Sequence, residues 1–360
     1  MMLTIIFFIL LIGVLVLIHE FGHFFAAKKL GVRVEEFAFG FPPRLWSITR
    51  GGTRYALNLL PIGGYVKIFG EGGEGEGEPQ SFISRSIWQR FVIVGAGVVM
   101  NILLAWLFFS AGSSIGVPTA VTPENESRIL NVKVGIVGVA EGSPAKASDL
   151  RFGDTVRSVR SEGARVDIRE IEDLQKFVDT HLGKEVVVEI ERGKEILSKK
   201  TVPRSSPPEG QGPLGVVLSK IGIIKTPWYL AWWEGLKMLG TAIAAIVIGL
   251  AGLIRDLIVA GRVSADISGP VGIFFFARDF SELGISYLLQ LAAILSVNLA
   301  ILNALPFPAL DGGRMFFLVI EKIKGSKVDQ RFERVMHTAG FIILMLLMLA
   351  VTYRDIERIF

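Results

Sequence analysis

Met2–Lys29 reads MLTIIFFILLIGVLVLIHEFGHFFAAKK, and between Met2 and Ile18 only Thr4 and Gly13 are not apolar. A run of this length suits a helix inside a bilayer, yet it ends in His19-Glu20-Phe21-Gly22-His23, and ionisable groups there are costly unless paired or metal-bound. On a helix the two histidines are i and i+4, one turn apart on the same face. Both imidazoles can then reach one tetrahedral zinc while Glu20 lies beside the metal-bound water. That is the equipment of metal-assisted peptide hydrolysis. No Lys or Arg precedes the apolar run and Lys28 and Lys29 follow it, the reverse of a cleaved signal peptide, so a retained metal-binding helix is expected.

Around this stretch the chain has 360 residues, 51% hydrophobic and 20% charged, with mean hydropathy +0.52. It is too apolar for an ordinary soluble protein and too charged to be wholly embedded, so part membrane and part soluble domain is expected. The net charge of +4 comes without a long basic stripe, which argues against nucleic acid as a partner. No cysteine is present, which excludes disulfides and leaves His, Asp and Glu as metal ligands.

Four apolar segments read as spans: 3–27, 91–111, 285–305, and 341–351 extended through Thr338. The basic residues between the first two, among them Arg33, Arg44, Arg50 and Arg54, put that loop in the cytoplasm and the N-terminus outside. Residues 238–254 hold no charge but are short for a span. With Trp228, Trp232 and Trp233 as anchors they are expected to lie in or dip into the outer interface, so that four helices cross. Residues 70–79, GEGGEGEGEP, read as a flexible solvated loop. Residues 53–68 offer two short β-prone runs around Pro61-Ile62-Gly63-Gly64. They suggest a membrane-associated β-hairpin that either pairs with an unwound substrate or only plugs the membrane face.

From about Arg128 to Arg204 the pattern turns to short β runs with one helical stretch, 168–177, a small α+β domain. Gly142-Ser143-Pro144-Ala145 followed by Gly153-Asp154-Thr155-Val156 resembles the PDZ signature of bacterial proteases, and such a domain either captures extended peptides or C-termini or spaces the active site. The expected division is 1–112 for the first membrane part, 128–204 for the PDZ-like domain, 205–284 for a linker and interfacial helix, and 285–360 for the second membrane part.

A second motif, Asn303-Ala304-Leu305-Pro306-Phe307-Pro308-Ala309-Leu310-Asp311-Gly312-Gly313, breaks an apolar helix and sets Asp311 where a carboxylate needs a partner. Taken alone, an ordinary capping Asp at the membrane surface would explain it as well. With H-E-F-G-H ahead of it and the PDZ-like stretch between, the chain resembles the site-2 proteases, of the bacterial regulator-of-sigma-E type. Further matches are 32–41 (VRVEEFAFGF), 61–66 (PIGGYV), Trp88-Gln89-Arg90, Ala96-Gly97 with Asn101, and Ser268-Gly269-Pro270.

The resemblance implies one zinc per chain on His19, His23 and Asp311, and Glu20 as the catalytic carboxylate. It implies substrate-backbone or structural roles for Asn298 and Asn303, and with the hairpin it points to Gly63, Gly64 and Tyr65 at the substrate. It implies a multi-pass protein of the bacterial cytoplasmic membrane, with the PDZ-like domain on the outer side and single-span membrane proteins as substrates, such as an anti-sigma factor or a remnant signal peptide. The family often carries two PDZ domains where this chain has room for one, and Val98 stands where the family commonly has proline. The alternative is a catalytically silent membrane scaffold presenting a PDZ domain. His181 and His337, outside both motifs, read as surface or interfacial residues.

Overall fold

The computed structural model describes residues 2–261 and 269–359, so Ser268 of the Ser-Gly-Pro match lies outside the described residues. In chain order the elements begin with helix α1 (Met2–Lys29), strands β1 (Val34–Arg50) and β2 (Thr53–Ile68) and helix α2 (Ile87–Ile115). Next come β3 (Val117–Ala120), β4 (Leu130–Val139), α3 (Pro144–Ala147), β5 (Thr155–Ser161) and β6 (Ala164–Asp167). They are followed by α4 (Ile171–Thr180), β7 (Val186–Arg192), β8 (Glu195–Thr201) and β9 (Val216–Ile224). The chain ends with α5 (Trp228–Ala260), α6 (Pro270–Leu283), α7 (Ile285–Ala304), α8 (Asp311–Lys324) and α9 (Gln330–Ile359). These group into two compact units, Met1–Phe109 with Gly235–Phe275 and Leu291–Phe360, and Ser110–Glu234 with Phe276–Gln290.

Among the described residues five helices are long and apolar enough to cross a membrane: 5–29, 87–115, 228–259, 285–304 and 330–357. This count of candidates differs from the four expected at α5. Residues 238–254 are the middle of one 33-residue helix, because nothing between Trp228 and Ala260 breaks it: Pro227 stands just before its start, and Glu234, Lys237, Arg255 and Asp256 are all compatible with a helix. The protein is a multi-pass membrane protein with a β domain.

In the first unit α1, α2 and α7 form the frame. Leu11 and Leu15 of α1 are buried with Ala292 of α7, and partly buried Phe7, Leu104, Phe108, Leu295 and Leu299 close around them. Gly22 is pressed on α2, where a Cβ would stand 2.4 Å from Ala96 O, so only glycine permits this backbone approach. Since α7 matches Leu11 with its start and His19 with Asn303 near its end, α1 and α7 run in the same direction.

β1 and β2 form a sheet of unexpected register. The turn is Gly51-Gly52, both at positive φ, and not the Pro61–Gly64 stretch. At Gly63 (φ 101°) β2 bends, so that Tyr55–Leu57 pairs with one edge of Phe37–Phe39 and Gly64–Val66 with the other. Phe41, Leu45, Trp46, Ile48 and Leu59 on the outer part are about half exposed, an apolar rim suited to lipid. The Gly/Glu loop is largely exposed, and side chains of α8, α9 and the loop between them reach it: Glu71 pairs with Arg314, Lys327 Nζ lies 2.5 Å from Glu76, and Arg334 donates to Gly72 O.

The second unit is a seven-stranded sheet in the order β3-β9-β4-β5-β7-β8, with β6 paired to β5. It takes in β3 and β9, which flank the stretch 128–204. Alternation is strict in β7, where Val186, Val188 and Ile190 point inward and are buried. Each contributes about 1.5–3 kcal/mol relative to exposure. They pack with Leu174, Phe177 and Val178 of the amphipathic α4.

Candidate metal centre

His19 and His23 are buried on one face of α1, held there by α2. His23 Nδ1 lies 2.9 Å from the Ile93 carbonyl oxygen, to which it donates as N–H, leaving Nε2 as the bare nitrogen. Asn101 is fully buried and its Nδ2 lies 3.3 Å from His19 Nδ1, while its Oδ1 has no partner among the described residues. Turning the amide over, which keeps its shape, lets Oδ1 accept Nδ1–H and leaves Nε2 of His19 bare as well. Asn101 is fixed in turn, its backbone carbonyl accepting Ser296 Oγ–H at 2.8 Å. Gly97 completes the cradle: a Cβ there would stand 2.5 Å from His23 Nε2, so a side chain would occupy the space of the imidazoles.

Asp311 comes from the other end of the unit, at the first residue of α8 after the Pro306–Leu310 loop. Its Oδ2 lies 3.0 Å from His19 Nε2 and 3.2 Å from His23 Nε2, and the two nitrogens are 3.2 Å apart. Oδ2 is buried and, among the described residues, has no hydrogen-bond donor. Three lone pairs thus converge on one point and repel unless a cation lies between them. Donors bound tetrahedrally to zinc at about 2.0–2.2 Å stand about 3.3 Å apart, so the residues fit the ion.

Glu20 flanks the cluster. Its Oε2 accepts the Val66 N–H at 3.0 Å, which leaves Oε1 for other work. Gly64 lets β2 pass close: its Cβ would sit 2.7 Å from Ala38 O and 3.9 Å from Glu20 Cγ. Of the other sequence candidates, Asn303 Nδ2 lies 3.4 Å from His19 Nε2, at the rim of the cluster. Gly63 makes the bend in β2, and Tyr65 points away, donating its OH to Glu36 Oε1 at 2.9 Å. Asn298 is half-buried on α7, and among the described residues no hydrogen bond joins it to the cluster. Asn101 and Gly97 belong to the site although neither counted among the candidate site residues. Their only signal was the Ala96-Gly97 and Asn101 match, since an amide and a glycine on an apolar helix look like packing.

Comparison with known proteins decides the family. The chain matches peptidase family M50 over residues 7–347. It belongs to that family, the site-2 proteases. It is 29% identical over 442 residues to the zinc metalloprotease RasP of Bacillus licheniformis, covering 99% of both chains. It is 33% identical over 350 residues to a protein of Clostridium acetobutylicum named "putative zinc metalloprotease", covering 97% of this chain and 96% of that one. A protein of Rickettsia conorii with the same name is 32% identical over the full length of both. The chain is a membrane metalloprotease of site-2 type and its cofactor is zinc.

Proposed function

We propose that the zinc is held by His19, His23 and Asp311, and that the enzyme hydrolyses peptide bonds within or near the transmembrane segments of single-span membrane proteins. The observation that carries this is the convergence of two bare imidazole nitrogens and an undonated carboxylate oxygen next to the free oxygen of Glu20. Bound zinc supplies a water of lowered pKa and a Lewis acid for the scissile carbonyl. Glu20 accepts the water's proton at Oε1 and passes it to the leaving nitrogen, while the Val66 N–H holds Oε2 and thereby the carboxylate's angle. Asn303 at the rim is placed to hydrogen-bond the substrate backbone.

A helical substrate hides its carbonyls in its own hydrogen bonds, so cleavage requires unwinding and a replacement partner for the freed backbone. Gly64–Val66 supports that role. Val66 turns its N–H away from β1 and toward Glu20, and by the alternation of a β ladder Gly64 faces the same way. An extended substrate paired to that edge lies beside Glu20. A scaffold role is disfavoured, because a protein with no hydrolysis to perform has no use for three converging acceptors.

The β domain is read as PDZ-like. Gly212-Pro213-Leu214-Gly215 leads into β9, and a groove of about 290 Å³ runs between Val216 and Leu218 and the α4 residues Leu174 and Val178. β9 pairs with β3 only over Ile221–Ile224, so the edge from Val216 to Ser219 is open for a peptide strand. For topology, α1 and α7 run the same way, which requires an odd number of crossings between them. α2 supplies one, so a crossing by α5 would need a further return before α7, whereas α5 lying along the outer interface satisfies the parity without one. The basic residues after α1 favour the cytoplasm for the metal-bearing ends and the outer side of the cytoplasmic membrane for the β domain.

The test is Glu20→Gln in the purified full chain. Zinc content stays at one per chain, and cleavage of a transmembrane peptide falls by at least about 10²–10⁴-fold, the usual worth of a general base. Retained turnover would remove Glu20 from the mechanism.

A further inference from the structure

The two prolines and the aspartate of the second motif raise a mechanical question: what keeps Asp311 aimed at the histidines? The loop before it is short of hydrogen bonds, since Pro306 and Pro308 have no N–H. Phe307 N–H goes to Leu305 O and Leu310 N–H to Phe307 O. Between them Ala309 sits at φ 84°, a left-handed conformation that a residue with a Cβ resists. Its N–H donates to a single acceptor, His337 Nδ1 on α9, at 2.8 Å.

α9 is built to come this close. A Cβ at Gly340 would stand 2.3 Å from Pro308 O, so this glycine lets the loop rest on the helix backbone one turn beyond His337. On the other side Gly313 does the same, with Phe307 O 2.4 Å from where its Cβ would be. The imidazole is steadied by the Phe317 ring, with centroids 5.7 Å apart. Its Nε2 is buried and, among the described residues, has no hydrogen-bond partner, with Glu333 Oε1 3.8 Å away, so the directed contact of this ring is the one through Nδ1 to Ala309. His337 is thus partly buried, with its ring engaged by the loop that carries Asp311.

We propose that His337 is a positioning residue for the zinc site: by holding the strained Ala309 peptide it fixes where Asp311 stands relative to His19 and His23. Ala309 is two residues from Asp311. A turn of its peptide toward an unstrained φ swings the start of α8 and moves Oδ2 off the two Nε2 atoms, and zinc bonds tolerate displacements of only about 0.2 Å. The inference rests on Asp311 being a zinc ligand.

The experiment measures zinc affinity of the full chain in detergent by competition with a chelator, alongside peptide cleavage. His337→Leu removes the acceptor and weakens zinc by about tenfold, the lower end of what partners of metal ligands contribute. Adding Ala309→Gly to His337→Leu restores affinity, because glycine takes φ 84° without strain and the loop no longer needs holding. Should His337→Leu not accumulate, His337→Asn and His337→Gln decide the matter. Asn offers an oxygen where Nδ1 stands and keeps affinity, whereas Gln offers it where Nε2 stands and loses it. Equal zinc affinity in wild type and His337→Leu, no rescue by Ala309→Gly, or equal affinity in the Asn and Gln variants overturns the proposal. Asp311→Ala in the same assay separates the two readings. Zinc retained there refutes the ligand assignment, while zinc lost there but unaffected by the His337 variants refutes this inference alone.

Discussion

Asp311 and Asp154 are both carboxylates withdrawn from water, and their surroundings complete them in opposite ways. Asp154, in the β domain, is fully buried and fully met. Arg192 Nε reaches its Oδ1 at 2.7 Å, Arg192 Nη2 its Oδ2 at 2.8 Å, and the Arg151 backbone N–H the same oxygen at 2.9 Å. The hydrogen bonds it donates to Asp154 raise the Arg192 guanidinium further above its already high pKa. Asp311 Oδ2 has two imidazole nitrogens within 3.2 Å and, among the described residues, no donor. A closed charge cluster stabilises one fold, whereas converging acceptors fit a cation. What marks the functional carboxylate is the missing donor, not burial.

The comparison breaks first at the metal. Asp311→Ala is expected to lose zinc and, with it, hydrolysis down to background, while the β domain unfolds at the same temperature as in the wild type. Metal analysis with thermal unfolding checks both halves, and full zinc occupancy would end the analogy. Asp154→Ala should do the reverse. Removing it leaves Arg192 a buried cation with only Asp149 for company, a change that costs about 3–5 kcal/mol. Zinc content should not move. If this variant loses zinc as readily as it loses β-domain stability, the two clusters are not independent.

Gly97 sharpens the comparison at the next level. In a helix interior Gly→Ala ordinarily gains about 0.5–1 kcal/mol. Here the new methyl lands 2.5 Å from His23 Nε2 and 2.7 Å from His19 Cε1, so the imidazoles must give way. Zinc affinity is expected to fall about 10–100-fold, the range seen when partners of metal ligands are disturbed. Gly95→Ala is the control on the same helix, since its Cβ would meet only Met315 Sδ at 3.5 Å, an ordinary contact. Equal affinity in the two variants would mean that the cradle is looser than its geometry.

Much of this was legible in the chain itself, for reasons that differ by residue. His19, Glu20 and His23 can be read because helical period alone brings i and i+4 together, and Asp311 only through its company, since alone it reads equally as a capping carboxylate and it is the H-E-F-G-H motif and the family resemblance that make it a ligand. Asn101, Gly97 and His337 could not be read from local pattern. Their meaning lies in neighbours far along the chain: His19, His23 and the Ala309 peptide. The hairpin was placed in the right region but turned at the wrong glycines, because Gly51-Gly52 and Ile62-Gly63-Gly64 carry similar turn signals and only tertiary pairing separates a turn from a bend. Likewise α5 was read as too short, since a count of uncharged residues ends at Lys237 and Arg255 while the helix runs past both.

The smallest expected effect returns to the closed cluster and its pH dependence. Burial works against the charge of Asp149, but hydrogen bonds from Lys199 and Arg151, with the charges of Arg151 and Arg192, overcome it and lower its pKa from 3.8 to about 2. The unfolded chain therefore takes up this proton before the folded one does. The stabilisation is complete above about pH 4, declines as pH falls, and is gone below about 2. With the side chain 46% exposed, solvent screens the interaction and the contribution is modest. Hydrogen exchange of β5 and β7 in the intact protein, compared between wild type and Asp149→Asn, isolates it because intrinsic exchange rates cancel in the ratio. Wild-type protection should exceed that of the variant at pH 5 and approach it as pH falls toward 2.5. A ratio constant across that interval would show that Asp149 is a bystander on the rim and that Asp154 with Arg192 closes the cluster unaided.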